Sequence, residues 1–258
     1  MSRKALAVIS FGTTYPQART AISRIEKSLC EVLPDYDFYR AFTSGMVIRK
    51  IVQEEGVKVP NPSELMEQLS EAGYDEVLCQ SLHVMPGLEY EKMLAQLAPF
   101  RQKFKTFTVG KPMLFCADDY AHICGQLLQT MPSLEAQQAF VYMGHGTEHF
   151  ANATYSQVEN MFRSLGAERV FVGTVEGFPD LEYIRRRLKQ HKIHQVTLAP
   201  FMIVAGDHAQ NDLAGEEPDS WKSILEADGY QVEVDLRGLG DIDAVQELFV
   251  RHALAVKS

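Results

Sequence analysis

The chain has 258 residues, 46% of them hydrophobic, with a formal net charge of −9 and a pI near 5.4. That length suffices for a sizeable core in one or two domains, and the acidic balance excludes a general nucleic-acid-binding surface. A polyanionic ligand stays open, because charges beyond a Debye length of about 8 Å are largely screened, but it would need a local cluster of Arg and Lys. The cysteines Cys30, Cys79, Cys116 and Cys124 lack CxxC spacing and read as reduced packing residues of a cytoplasmic protein. The first apolar run is too short for a signal peptide, and no run approaches a membrane span.

In chain order, residues 4–11 form a nearly all-apolar run expected to be a buried strand. Gly12 to Thr14 turns the chain, and Tyr15 to Leu33 carries Ala18, Ile22, Ile25, Leu29 and Val32 at helical spacing. A strand is expected over Tyr36 to Phe42 and a short helix over Met46 to Gln53. A further helix opens after Asn61 or Ser63 as N-cap and stops at Gly73. Glu76 to Leu82 reads as a strand, Glu89 to Lys103 as a helix, Phe104 to Val109 as a strand and Tyr120 to Leu128 as a helix.

Met131 to Leu134 is the expected boundary, dividing the chain into an N-terminal α/β domain, 1–134, and a C-terminal one, 135–258. After it the pattern restarts. Strands are expected over Ala139 to Met143, Arg169 to Val175, Gln195 to Val204 and Tyr230 to Leu236. Helices are expected over Ala153 to Leu165, Leu181 to Gln190, from Gln210 onward, and over Ala244 to Ala255. Strands alternating with helices predict α/β domains with parallel sheets covered on both faces. The restart reads as an internal duplication: Ile9–Thr13 corresponds to Met143–Thr147, and Ser81–Glu89 to Pro200–His208. Two such domains facing each other would bring strand ends carrying Phe11, Glu89, His145 and His208 to one cleft.

His145 sits in a Gly-His-Gly turn where the apolar run Ala139 to Met143 stops. Ligands of open α/β sheets sit at the carboxyl ends of strands, and flanking glycines remove the Cβ atoms that would crowd an approaching ligand. His208 opens a helix after Val204-Ala-Gly-Asp207, and Glu176 ends the intervening strand. Each could be an ordinary capping or loop residue. Together, two imidazoles and a carboxylate at successive strand tips form a divalent-metal site with open positions. Those donors suit Co, Zn, Fe and Ni alike, so the residues do not choose the metal. His83, near the end of its strand, is expected to line the same cleft. His149, His191, His194, His122 and His252 read as loop, surface or structural residues. No Walker loop, GxGxxG, GxSxG or HExxH motif occurs, which argues against nucleotide-driven, hydrolase-triad and zincin chemistry.

The motifs SFGT (Ser10–Thr13), RAFTSGMVIRK (Arg40–Lys50), QSLH (Gln80–His83), Gly87–Lys92, MGHG (Met143–Gly146), VEGFPD (Val175–Asp180) and VAGDHAQND (Val204–Asp212) resemble those of the anaerobic cobalt chelatases of vitamin B12 synthesis. These are the sirohydrochlorin cobaltochelatases, within the class II chelatase superfamily that includes ferrochelatase. The resemblance runs over essentially the whole chain. It implies two similar flavodoxin-like, doubly wound domains with the active site in the cleft between them.

It also implies metal ligands at His145, Glu176 and His208, with His145 as proton acceptor and Glu89 as a carboxylate for proton removal or metal delivery. The implied reaction is nucleotide-independent insertion of Co²⁺, as substrate, into a sirohydrochlorin-type tetrapyrrole, with Fe²⁺, Ni²⁺ or Zn²⁺ able to occupy the same donors. Arg40, Arg49 and Lys50 are the candidate cations for the substrate carboxylates, and Phe11, Met85, Leu88 and Met202 the candidate apolar contacts. A ferrochelatase or nickel chelatase acting on the same ring, a non-catalytic tetrapyrrole or metal carrier, and a metal-dependent hydrolase are the rival readings. Neither nucleic acid nor membrane is expected as a partner, and homo-oligomerisation is left open.

Overall fold

The computed structural model describes residues 2–257. The chain divides into two compact units: Met1–Phe115 with Gly240–Ser258, and Cys116–Leu239.

The first unit is built on a parallel sheet of order β2-β1-β3-β4, with β1 Lys4–Ser10, β2 Asp37–Phe42, β3 Glu76–Ser81 and β4 Thr106–Gly110. Side chains alternate across a strand, so β1 feeds two cores. Ala5, Ala7 and Ile9 pack with Leu65, Met66 and Leu69 of α3 (Pro62–Glu71) and Tyr90, Met93 and Leu97 of α4 (Leu88–Leu97). The alternate residues Leu6 and Val8 are equally buried. Burial on both faces is why β1 reads as one apolar run and not as an alternating one. The remaining helices are α1 (Pro16–Val32), α2 (Gly45–Glu55) and α9 (Asp243–Val256), with α9 packed on α1, β3 and β4. Asn61 caps α3 in a reciprocal capping box with Glu64. The helix expected over Glu89 to Lys103 is α-helical only to Leu97 and then narrows to a 3₁₀ turn, Ala98–Lys103. Pro99 explains the change, because it fixes φ and has no N–H to donate.

The second unit repeats the plan with sheet order β6-β5-β7-β8. Here β5 is Gln138–Gly146, β6 Val170–Glu176, β7 Gln195–Pro200 and β8 Gln231–Val234. One face packs Ala139, Val141 and Met143 against Ile184 and Leu188 of α7 (Leu181–Gln190) and Trp221 and Leu225 of α8 (Trp221–Ala227). On the other, Tyr142 stacks on Phe162 of α6 (Ala153–Ser164) and meets Phe201 edge-on. Buried Glu159 of α6 accepts from the Val172 N–H at 3.0 Å, from Arg163 at 2.7 Å and from Arg187 of α7 at 3.0 Å. One carboxylate thus ties α6, β6 and α7 together. The identical strand order of the two sheets bears out the duplicated, doubly wound α/β fold.

Two details differ from the sequence reading. The Gly-His-Gly segment is the end of strand β5, not a turn beyond it, while β7 stops at Pro200 and Phe201 to Gly206 is loop. The units also do not follow the 1–134 and 135–258 division. Helix α5 (Ala117–Thr130), ahead of the expected boundary, packs on α6 in the second unit, and α9 packs in the first. Each half of the sequence contributes its last helix to the other half's core. Local periodicity marks where a helix lies but not which sheet it covers. Among the described residues no helix is long and apolar enough to cross a membrane.

Candidate metal centre

The carboxyl ends of β5 and β6 set the geometry. Gly146 and Glu176 are register partners on the parallel ladder, which places the residue before one beside the other. Gly146 holds φ at +83°, and a Cβ there would lie 1.6 Å from the Glu176 carbonyl oxygen. Only glycine lets the two strand tips close this far. The Gly146 N–H donates to the hydroxyl of buried Tyr155 on α6 at 3.3 Å. Burial pushes the Tyr155 phenol up to about 12, so it serves this tip as a neutral group. Asn152 accepts from the Thr147 N–H at 3.0 Å and donates to the Phe178 carbonyl, pinning the two strand exits together.

On this platform the imidazoles of His145 and His208 meet edge to face, with ring centroids 4.4 Å apart. His145 Nδ1 lies 3.0 Å from the Gly146 carbonyl oxygen. A carbonyl can only accept, so Nδ1 carries the proton and Nε2 the lone pair. His208 Nδ1 lies 2.6 Å from Asp212 Oδ2, which fixes the same tautomer. A Glu176 carboxylate oxygen stands 4.0 Å from His145 Nδ1, with the Glu176 side chain 60% exposed. Among the described residues no three His, Cys, Asp or Glu side chains stand ready as a closed metal cage. Glu176 faces the wrong edge of His145 for that and would have to swing to share an ion with the two Nε2 atoms. Its exposure leaves it room to do so.

The remaining expected site residues are described by their surroundings within their own units. Glu89, in the first turn of α4, pairs with Lys92 Nζ at 2.8 Å. His83 is buried, with Nδ1 2.8 Å from Ser81 Oγ. Burial depresses its pKa to about 4, opposed by the nearby Glu89 charge, so it is a neutral interior residue. Arg40 is not a free cation: its guanidinium grips buried Glu26 through Nε at 2.7 Å and through Nη2, and touches Ser23. Its charge is therefore already matched within the first unit. Arg49 is exposed, as is Lys50, which stands 3.9 Å from Glu54. Phe11 and Leu88 are solvent-exposed apolar residues, Met85 is half-buried, and Met202 packs against the second unit's core.

Sequence reading missed Asp212, Tyr155 and Asn152. The first had a signal, the i,i+4 spacing of His208 and Asp212. The other two act through backbone groups, which leave no pattern in the side chains.

Several known proteins are similar to this chain. A sirohydrochlorin cobaltochelatase of Salmonella typhimurium is 40% identical over 253 residues, covering 97% of this chain and 95% of that protein. A second sirohydrochlorin cobaltochelatase, from Nitratidesulfovibrio vulgaris, is 30% identical over 100% of this chain and 92% of its own. Among solved structures, SirB of Bacillus subtilis with Fe³⁺ superposes with a TM-score of 0.65 at 11% identity, over 98% of this chain and 94% of that one. A multi-domain Deinococcus radiodurans protein described as structurally similar to chelatases gives 0.65 at 15% identity, over 100% of this chain and 56% of its own. At those identities the two structures bear on the fold alone. The sequence profile described as cobalt chelatase (CbiK) matches residues 4–257, and with that match and the 40% relative, the chain belongs to the cobalt chelatase family.

Proposed function

We propose that this chain inserts Co²⁺ into sirohydrochlorin without a nucleotide, using His145, His208 and Glu176 to hold the incoming ion. The observation that carries the reading is the convergence of the two imidazoles, 4.4 Å between centroids, in a member of the cobalt chelatase family. The names of the two sirohydrochlorin cobaltochelatases support the substrate assignment.

The reaction exchanges one divalent ion for two pyrrole N–H protons. The ion must shed water, the ring nitrogens must lose their protons, and the protein must let go. Two neutral imidazoles with Nε2 lone pairs suit the first step, because each replaces a water without adding charge. Glu176, already within reach of His145, offsets part of the metal's charge. As the ion passes to the macrocycle, the His145 Nε2 lone pair is freed and becomes a base for one N–H proton. Glu89 is proposed to take the second. The metal itself acidifies the pyrrole N–H groups as a Lewis acid. Exposed Arg49 and Lys50 are proposed to meet substrate carboxylates, and Phe11 and Leu88 its apolar face.

The test is an absorbance assay with purified protein, sirohydrochlorin and Co²⁺, repeated with Fe²⁺ and Ni²⁺. Time-dependent insertion is expected, fastest with Co²⁺, and His145→Ala should abolish most of it. Binding of the ring without insertion of any metal would make the chain a carrier. Near-wild-type turnover by His145→Ala would remove that residue from the chemistry.

A further inference from the structure

We propose that Asp212 is a positioning residue that makes His208 the stronger of the two imidazole donors. The inference rests on reading His145 and His208 as the metal's ligands. The two rings share a tautomer but differ in what holds it. His145 Nδ1 is bonded to a neutral backbone carbonyl at 3.0 Å. His208 Nδ1 is bonded to a carboxylate at 2.6 Å, at the short end of charge-assisted hydrogen bonds. A carboxylate behind an imidazole fixes its rotation, locks the lone pair on Nε2 and raises its basicity toward a metal. A carbonyl does the first two and little of the third.

The backbone supports the pairing. After His208 the chain makes a π-helical turn, Ala209–Leu213, with Asp212 inside it. Such single turns are wider than an α-helix and concentrate at functional sites. Here the turn carries the carboxylate that meets the ring four residues back. Asp212 has no cation partner among the described contacts, so its negative charge is directed to His208. A surface ion pair built only for stability would be worth little at this exposure, 31% for His208 and 42% for Asp212.

The consequence is a division of labour. His208, backed by charge, retains the ion while water is lost. His145, whose Nδ1 is hydrogen-bonded to a carbonyl while the Glu176 carboxylate stands off at 4.0 Å, is the ligand that lets go first and is then free to take a proton.

The experiment titrates Co²⁺ into the wild type and the Asp212→Ala, Asp212→Asn and His208→Ala variants. Imidazole tautomers in the metal-free protein are read by ¹⁵N–¹H correlation NMR. Asp212→Ala is expected to weaken Co²⁺ binding roughly 10–100-fold and to let His208 populate the Nε2–H tautomer, with His145 unchanged. Asp212→Asn keeps an acceptor without the charge and should fall between. In turnover, KM for Co²⁺ should rise in proportion while kcat at saturating cobalt and KM for the tetrapyrrole hold. A general structural defect would lower kcat instead. If Asp212→Ala does not fold, the Asp212→Asn affinity decides alone. Wild-type affinity and tautomer in the Asp212 variants, with His208→Ala impaired, would overturn this inference and leave the proposed function standing. Wild-type affinity in His208→Ala would overturn both.

Discussion

Gly146 and Glu176 face each other on the β5–β6 ladder so closely that a methyl group on the glycine would fall 1.6 Å from the glutamate's carbonyl oxygen. The glycine is therefore part of the site although it supplies no ligand. Gly146→Ala must push the two strand tips apart and strain a φ of +83°, a conformation costing roughly 1–3 kcal/mol for a residue with a Cβ. We expect a loss of stability above that range and at least a tenfold loss of Co²⁺ affinity. Gly166→Ala is the control: its φ is +85° but nothing lies within 4 Å of its Cβ. Equal effects of the two substitutions on Co²⁺ affinity, measured by cobalt titration, would dismiss the close approach as the cause.

His83 should write its own signature into stability against pH. Burial holds its folded pKa near 4, below the usual 6.5 of an unfolded histidine. The unfolded chain therefore binds the proton first as pH falls. The contribution is fully present above pH 6.5 and is lost between 6.5 and 4, a swing of roughly 3 kcal/mol. Urea denaturation across that window should show the slope, and His83→Asn should flatten it. An unchanged slope in the variant would assign the acid sensitivity to other groups.

Glu159 is the polar clamp of the second unit. Replacing it with Ala leaves Arg187, the Val172 N–H and Arg163 without their shared acceptor. Breaking a buried pair from one side costs about 3–5 kcal/mol. Chemical denaturation should report a loss of that size, while Co²⁺ affinity of the folded fraction stays at the wild-type value. A loss under 1 kcal/mol would mean that water replaces the carboxylate with little penalty.

The helices α5 and α9 are expected to decide which fragments fold. A fragment of residues 116–239 holds a complete second unit. A fragment of residues 135–258 lacks α5 and carries α9, whose partners α1, β3 and β4 belong to the first unit. Circular dichroism and cooperative thermal unfolding should be found for the first fragment and not the second. The reverse result would return the boundary to residue 134.

Much of this architecture was legible in the residues. The continuous apolar run at β1, the amphipathic spacing of α1 and the Gly73 stop are local consequences of burial and backbone sterics, so pattern alone locates them. The repeat of strand-end motifs likewise anticipated two sheets of one strand order. What pattern does not reveal is what depends on contacts between distant segments. The pairing of Arg40 with Glu26, one helix earlier, was not legible because that glutamate carries no mark of being buried. The helix allegiance of α5 and α9 is set by which sheet face is open, and hydrophobic spacing is blind to that. Of the site, the approach of His145 and His208 followed from strand order, while the carbonyl and carboxylate that hold their rings had to be seen in place.

The allegiance of α9 has a consequence for synthesis. The residues that close the first unit leave the ribosome after the whole of the second unit, so the unit begun first is finished after its neighbour. Protease protection of stalled nascent chains should then appear over residues 116–239 before residues 2–115, inverting the vectorial order usual for multidomain proteins. Until α9 emerges, the part of the first sheet formed by β3 and β4 must wait without that cover.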